Sequence, residues 1–221
     1  ITFAQLLVAA ARTRKDVIIS SGASTLPEVQ WACDLVESTW AEVGHNGNLA
    51  VLHCVSAYPA PVESLNLRAI ATLSNALPGV VVGYSDHALG IEASVAAVAA
   101  GARIIEKHFT LDKNYSSYRD HQLSANPTEL ATLRKRIDEL DSMMGTGDKV
   151  PHRVEIEMRT TIRRSISANR DLPAGHRLKF DDLRIVRPGS GLAPTELDQV
   201  IGLTLRKSVE AGRSVEASDL S

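Results

Sequence analysis

The stretch from Val80 to Thr110 constrains this chain most. It reads Val80-Val81-Val82-Gly83-Tyr84-Ser85-Asp86-His87, then an alanine-rich segment from Leu89 to Ala100, then Arg103-Ile104-Ile105-Glu106-Lys107-His108-Phe109-Thr110. Two β-branched runs flank a segment long enough for one crossover helix, the pattern of a β-α-β unit. The strands of such a unit are parallel, so their C-terminal ends lie on one side of the sheet. Asp86, His87, Glu106, Lys107 and His108 are therefore expected together on one face. Parallel α/β proteins bind their ligands outside those strand ends. Either histidine alone reads equally well as a core or surface residue, whereas the pair at equivalent strand ends points to a joint site.

The rest of the first 147 residues repeats the same alternation. Apolar residues at helical spacing from Phe3 to Ala11 predict a leading helix. Val17-Ile18-Ile19-Ser20 predicts a buried strand, followed by Ser21-Gly22-Ala23-Ser24-Thr25 and a helix through Trp40. Small hydroxylated residues and a glycine ahead of a helix suit an anion, because backbone N–H groups and the helix dipole point at it. Ser24 or Thr25 reads equally as an N-cap.

Leu49 to Ser56 predicts a strand, with Ala57-Tyr58-Pro59-Ala60-Pro61 as a stiff loop that either holds Tyr58 over a pocket or simply ends the strand. Leu65 to Leu77 predicts a helix. The last helix of this part, Thr128 to Met144, is capped by Asn126-Pro127 and closed at Gly145. Four β-α units in succession are half of an eight-fold barrel, with the candidate chemistry at every strand's C-terminal end. Such a half exposes two edge strands, so either another segment pairs them or the chain is incomplete.

After Gly147 the pattern changes. A charged segment from Pro151 to Arg164 leads into short strands and turns, a second and mostly β domain. Within it Leu172-x-Ala174-Gly175-x-x-Leu178-x-x-x-Asp182-Leu183 recurs as Val209-x-Ala211-Gly212-x-x-Val215-x-x-x-Asp219-Leu220. Two such units would bury a small core together that neither forms alone. The expected division is 1–147 for the partial barrel, 148–163 for a linker and 164–221 for the small domain.

Composition narrows the function classes. At 44% hydrophobic and 23% charged residues the chain has the make-up of a globular protein, and its net charge of −2 makes no electrostatic case for nucleic acid. No run is long and apolar enough to span a membrane, and the N-terminus carries no signal-peptide pattern, so no membrane partner and a cytoplasmic location are expected. Cys33, in a helix, and Cys54, in a strand, read as reduced apolar residues rather than a disulfide.

The motifs Leu52-His53-Cys54-x-Ser56-x-Tyr58-Pro59, Gly83-Tyr84-Ser85-Asp86-His87-x-Leu89-Gly90, Ile105-Glu106-Lys107-His108-Phe109-Thr110 and Asp120-His121 are followed by Arg164-Ser165-Ile166 and Arg187-Pro188-Gly189-x-Gly191. Together they resemble the sialic acid synthase, or N-acetylneuraminate synthase, family, in order and over essentially the whole chain. The resemblance implies a TIM barrel joined to an antifreeze-like (SAF) domain. It implies condensation of phosphoenolpyruvate with N-acetylmannosamine or a related hexosamine, giving a nonulosonic acid and phosphate. The implied cofactor is a divalent metal, usually Mn2+, with Mg2+ or Co2+ as alternatives, and the implied assembly is a domain-swapped homodimer.

By the same resemblance His87 and His108 match the metal-binding histidines, and with Glu106 they form the catalytic set. Ser56, Tyr58 and Ser85 match the region that holds phosphoenolpyruvate, and Ser21 and Thr25 lie in the loop that adds a phosphate contact. Asp120 matches a sugar contact. Arg187 matches an arginine that reaches the sugar site of the other subunit. The family's barrel begins with four further β-α units, bearing another catalytic glutamate and phosphate-binding lysines, and Ile1 aligns just after the fourth strand. The chain is therefore expected to be an incomplete part of the enzyme, inactive unless a separate polypeptide supplies the rest.

The competing reading is a non-catalytic sugar-binding or dimerisation module; ice binding is a third. Retention of both histidines, Glu106 and Asp120 favours the synthase, because a structural module has no need of that set.

Overall fold

The computed structural model describes residues 1–221 and every side chain except that of Arg119. The chain divides into two units, Ile1–Gly147 and Asp148–Ser221.

In the first unit, α1 (Ala4–Arg12) precedes four β-α pairs: β1 (Val17–Ser20) and α2 (Leu26–Glu42), β2 (Leu49–Cys54) and α3 (Ala69–Ala76), β3 (Val81–Asp86) and α4 (Glu92–Ala99), and β4 (Ile105–Lys107) and α6 (Pro127–Met144). A short helix, α5 (Arg119–Leu123), sits between β4 and α6. The strands form one parallel sheet in the order β1-β2-β3-β4. This is the half-barrel that the periodicity predicts, since each crossover helix must return the chain to the same sheet end.

Side chains alternate across the sheet. Ile19, Val51, Val82 and Tyr84 point to the helices and pack with Val29, Val36, Trp40, Ile70 and Leu73 into the main core. Residues of the other parity line the opposite face, where Ile18 is 59% exposed and both Ser20 and Glu106 are exposed. Gly83 belongs there for steric reasons. A Cβ at Gly83 would lie 2.5 Å from Leu52 Cδ2 and 2.6 Å from the Ile104 carbonyl oxygen, so only glycine lets Leu52 lie across β3.

Local chemistry sets the helix ends. Thr25 N–H and Oγ1–H both donate to Glu28, at 2.7 and 2.8 Å, ahead of Pro27 in the first turn of α2. Asn126 Oδ1 accepts from the Glu129 N–H at 2.9 Å while Glu129 accepts from the Asn126 N–H at 3.0 Å, a reciprocal capping box. Gly145 then ends α6 at φ 61°. Two features escape the sequence reading. The third helix begins at Ala69, after a 3-10 turn at Val62–Ser64, and the charged segment folds as α7 (Arg153–Ile162).

The second unit is built from short strands, bridges and turns, as its sequence suggests. A hairpin pairs β5 (Ser165–Ala168) with β6 (Leu183–Val186), and isolated bridges, α7, α8 (Leu197–Val200) and 3-10 turns at Phe180–Asp182, Pro194–Glu196 and Ala217–Asp219 accompany it. The internal repeat is real in three dimensions. Leu172 N–H donates to the Val209 carbonyl at 2.9 Å and Val209 N–H to the Leu172 carbonyl at 2.8 Å, so equivalent residues bond reciprocally. The Gly175 N–H donates to the Leu205 carbonyl and the Gly212 N–H to the Ala168 carbonyl, at 2.7 and 2.8 Å, the same bond made once in each half.

Each half also buries one aspartate. Asp182 meets Arg170 and His176, while Asp219 meets Lys207 and Arg213 at the equivalent positions. Burial works to raise the Asp182 pKa, but hydrogen bonds from His176, the Lys179 amide and Arg170 outweigh it and hold the carboxyl at about 2. Asp219 is likewise held low: burial is opposed by the Glu216 amide, Lys207 and Arg213. Around these groups Ile166, Leu172, Leu178, Leu205, Val209 and Val215 form the unit's own core.

Candidate active site

The site grows from the C-terminal ends of β2, β3 and β4. Register places Cys54 beside Ser85 and Ser85 beside Glu106, all on the face away from the helices. Continuing the same parity, His87 and His108 follow on that face, with ring centroids 5.2 Å apart and planes at 73°. Tyr58, from the loop after β2, stacks on His87 at 4.2 Å and meets His108 edge-on at 5.7 Å.

His87 is buried and its ring orientation is set. Nδ1 lies 2.9 Å from the Val55 carbonyl oxygen, which can only accept, so Nδ1 is the donor and the ring is oriented by that bond. Cys54 Sγ lies 3.7 Å from the same Nδ1. A histidine whose other nitrogen is held by a backbone carbonyl is prepared as a metal ligand. Among the described residues no three His, Cys, Asp or Glu side chains gather into a metal cluster. His87 and His108 are the two imidazoles at this sheet end that would hold a divalent cation, with water and substrate completing its shell.

The hydroxyls expected at a phosphate have their protons engaged. Ser85 Oγ donates to Glu106 Oε1 at 2.6 Å, Ser21 Oγ to the Leu52 carbonyl at 2.9 Å, and Thr25 Oγ1 to Glu28 at 2.8 Å. Each must rotate before it can donate to a ligand oxygen. Ser56 is exposed, and Gly22 comes so close that a Cβ there would run into Ser56 Oγ. Ser21, Thr25 and Ser56 line one cavity of about 590 Å3 with Ser24, Cys54 and Asn66. A larger hollow of about 790 Å3 lies along α4, β4 and α6 and includes neither His87 nor His108.

Asp120 lies in α5, which is tied to the end of β4 because Thr110 Oγ1 bonds His121 Nδ1 at 2.9 Å and the Ala125 N–H donates to the His108 carbonyl at 2.7 Å. Arg187 belongs to the second unit, just past β6, and its Nε donates to the Ile162 carbonyl at 2.8 Å.

One expectation is overturned. Asp86 and Lys107 do not share the face of the histidines. They stand one residue away on extended strands, so they point to the helices, where they pair at 3.1 Å with side-chain exposures of 0% and 3%. The signal that separates them was present in the sequence as parity along each strand.

Parallel β-α units with two imidazoles, a carboxylate and hydroxyls at one sheet end, in a chain that ends in a separate duplicated unit, define a barrel-type α/β protein with an appended small domain. The chain belongs to the NeuB family, whose profile matches residues 1–149, and carries a SAF domain over residues 163–221. It is 39% identical over 220 residues to an uncharacterized protein of Methanocaldococcus jannaschii, covering 100% of this chain and 63% of that one. It is 38% identical to the N,N'-diacetyllegionaminic acid synthase of Legionella pneumophila, covering 93% of this chain and 57% of the relative. Among solved structures, the N-acetylneuraminic acid synthetase of Leptospira borgpetersenii, crystallised with citrate, superposes with a TM-score of 0.62 at 37% identity, covering 72% of this chain and 54% of that one. The chain thus spans 57% to 63% of the length of these two curated relatives.

Proposed function

We propose that this chain contributes to the condensation of phosphoenolpyruvate with N-acetylmannosamine or a related hexosamine, giving a nonulosonic acid and phosphate. The observation that carries the reading is the grouping of His87, His108, Tyr58 and the Ser85–Glu106 pair at one sheet end. Family membership supplies the reaction class, and the Legionella relative's name makes a diacetamido hexose the second acceptor to try.

His87 and His108 would hold the divalent cation, Mn2+ first among the candidates. A bound cation of this kind polarises a carbonyl oxygen as a Lewis acid. In the overall change, C3 of phosphoenolpyruvate bonds to the aldehyde carbon and the aldehyde oxygen gains a proton. Water adds to C2, and the phosphate leaves. In this reading Glu106 takes or returns a proton, and its hydrogen bond from Ser85 supports that role. Ser56 and Tyr58 border the phosphoenolpyruvate side, with Ser21 and Thr25 in the adjoining loop, and Asp120 serves the sugar. The reading includes a homodimer in which Arg187 of one copy serves the sugar site of the other, and a cytoplasmic location. Among the described residues no helix is long and apolar enough to cross a membrane.

The test is Mn2+-dependent phosphate release from phosphoenolpyruvate with N-acetylmannosamine, on this chain and on the His87→Ala, His108→Ala double variant. Histidine line broadening by Mn2+ is followed in parallel. Turnover and broadening lost together in the variant support the reading. Broadening that spares His87 and His108 in the parent chain overturns the metal assignment, and a sugar-binding chain that releases no phosphate under any metal favours the non-catalytic module.

A further inference from the structure

The buried pair behind the site has no place in the chemistry proposed above, and its bonding shows what it does. Asp86 and Lys107 are the last cross-strand partners of β3 and β4 in register, one residue before His87 and His108. They lie 3.1 Å apart and are almost wholly buried. Asp86 Oδ1 accepts the Ala88 N–H at 2.8 Å, and Lys107 Nζ donates to the Ala88 carbonyl at 2.5 Å. Both backbone groups of the residue following His87 are thus gripped by this one ion pair. Asp86 Oδ2 also accepts from Ser94 Oγ at 2.6 Å, which ties the grip to the first turn of α4, and Ser94 is fully buried. From the other side, the His87 carbonyl accepts the Ala60 N–H at 3.0 Å.

Energetics argue against stability as the reason for the pair. Two charges removed from water recover their desolvation cost poorly, and a well-packed apolar pair of the same volume is often as stable or more so. What an ion pair adds is registry: its geometry is satisfied in one alignment of the two strands, whereas apolar side chains tolerate slippage.

We infer that Asp86, Lys107 and Ser94 are positioning residues, a clamp behind the sheet that fixes β3 against β4 and holds the backbone on both sides of His87 so that the two imidazoles meet. The inference takes the importance of the imidazole pair from the proposed function. The clamp itself can be tested without metal or substrate.

The variants are Ser94→Ala, which keeps the ion pair, and Asp86→Leu with Lys107→Met, which replaces it by apolar groups of similar size. Each is compared with the parent chain for Ala88 amide exchange, for the nuclear Overhauser effect between the His87 and His108 rings, and for Mn2+ affinity by electron paramagnetic resonance. Thermal melting serves as the control for folding. A clamp predicts that the apolar double variant melts near the parent temperature yet loses Ala88 protection and the ring-to-ring effect. Its Mn2+ affinity should fall about 10- to 100-fold, the usual consequence of removing support from a ligating histidine. Ser94→Ala should fall between the two. A folded double variant that keeps Ala88 protection and the ring contact overturns the inference whether or not the parent binds Mn2+. A parent that shows the ring contact but binds no Mn2+ counts against the metal reading alone, and the exchange and ring data then decide the clamp.

Discussion

Ser85 donates its hydroxyl proton to Glu106 Oε1 at 2.6 Å across the β3–β4 register, so Glu106, an exposed carboxylate two residues before His108 on β4, is oriented by a side chain that is itself buried. A hydroxyl with one proton to give cannot hold Glu106 and a phosphate oxygen at once in the same rotamer.

Replacing Ser85 with Ala should therefore release Glu106 while leaving the imidazole pair in place. The expected cost is about 1 kcal/mol of stability, the net worth of one such hydrogen bond, read from urea denaturation. Under the proposed function, phosphate release should fall while Mn2+ broadening of His87 and His108 persists. Loss of the broadening in a folded Ser85→Ala variant would show that the two halves of the site are not separable.

Gly83→Ala tests the close approach at the sheet centre. The new methyl would meet Leu52 Cδ2 and, at 2.6 Å, the Ile104 carbonyl oxygen, and a backbone atom held in a sheet cannot step aside. Overpacking of this kind costs about 1–3 kcal/mol, to be measured by urea denaturation. Gly22→Ala meets only the rotatable Ser56 hydroxyl at its closest contact and should cost less.

Acid should loosen the second unit. The Asp182 carboxyl is held at about 2, below its ordinary 3.8, and Asp219 is shifted in the same direction. On acidification the unfolded chain therefore takes up protons before the folded one does. The stabilisation is fully present above pH about 4 and is lost as pH falls through the folded value near 2. Protection of the Leu172 and Val209 amides, which join the two repeats, should fall relative to their intrinsic exchange rates across that window. Asp182→Asn should be less stable at neutral pH and show a flatter pH profile. An unchanged profile would mean that Asp182 is not a source of the acid sensitivity.

Much of this protein is set by sequence alone, because its strands and helices are local and periodic. The β-branched runs, the Asn126-Pro127 and Gly145 boundaries of α6 and the repeat around Asp182 and Asp219 all follow from spacing, propensity and capping chemistry. Parallel β-α-β topology also brings His87 and His108 to one sheet end before any coordinate is known. Only the tertiary structure decided which neighbours those residues have. Asp86 and Lys107 sit beside the histidines in sequence, yet strand pleating turns them to the helix side, where Ser94 and the Ala88 backbone close a buried network. The partners of His87 Nδ1 and of the Ser85 hydroxyl come from just past β2 and from β4, since hydrogen bonds are chosen by distance in space and not by distance along the chain.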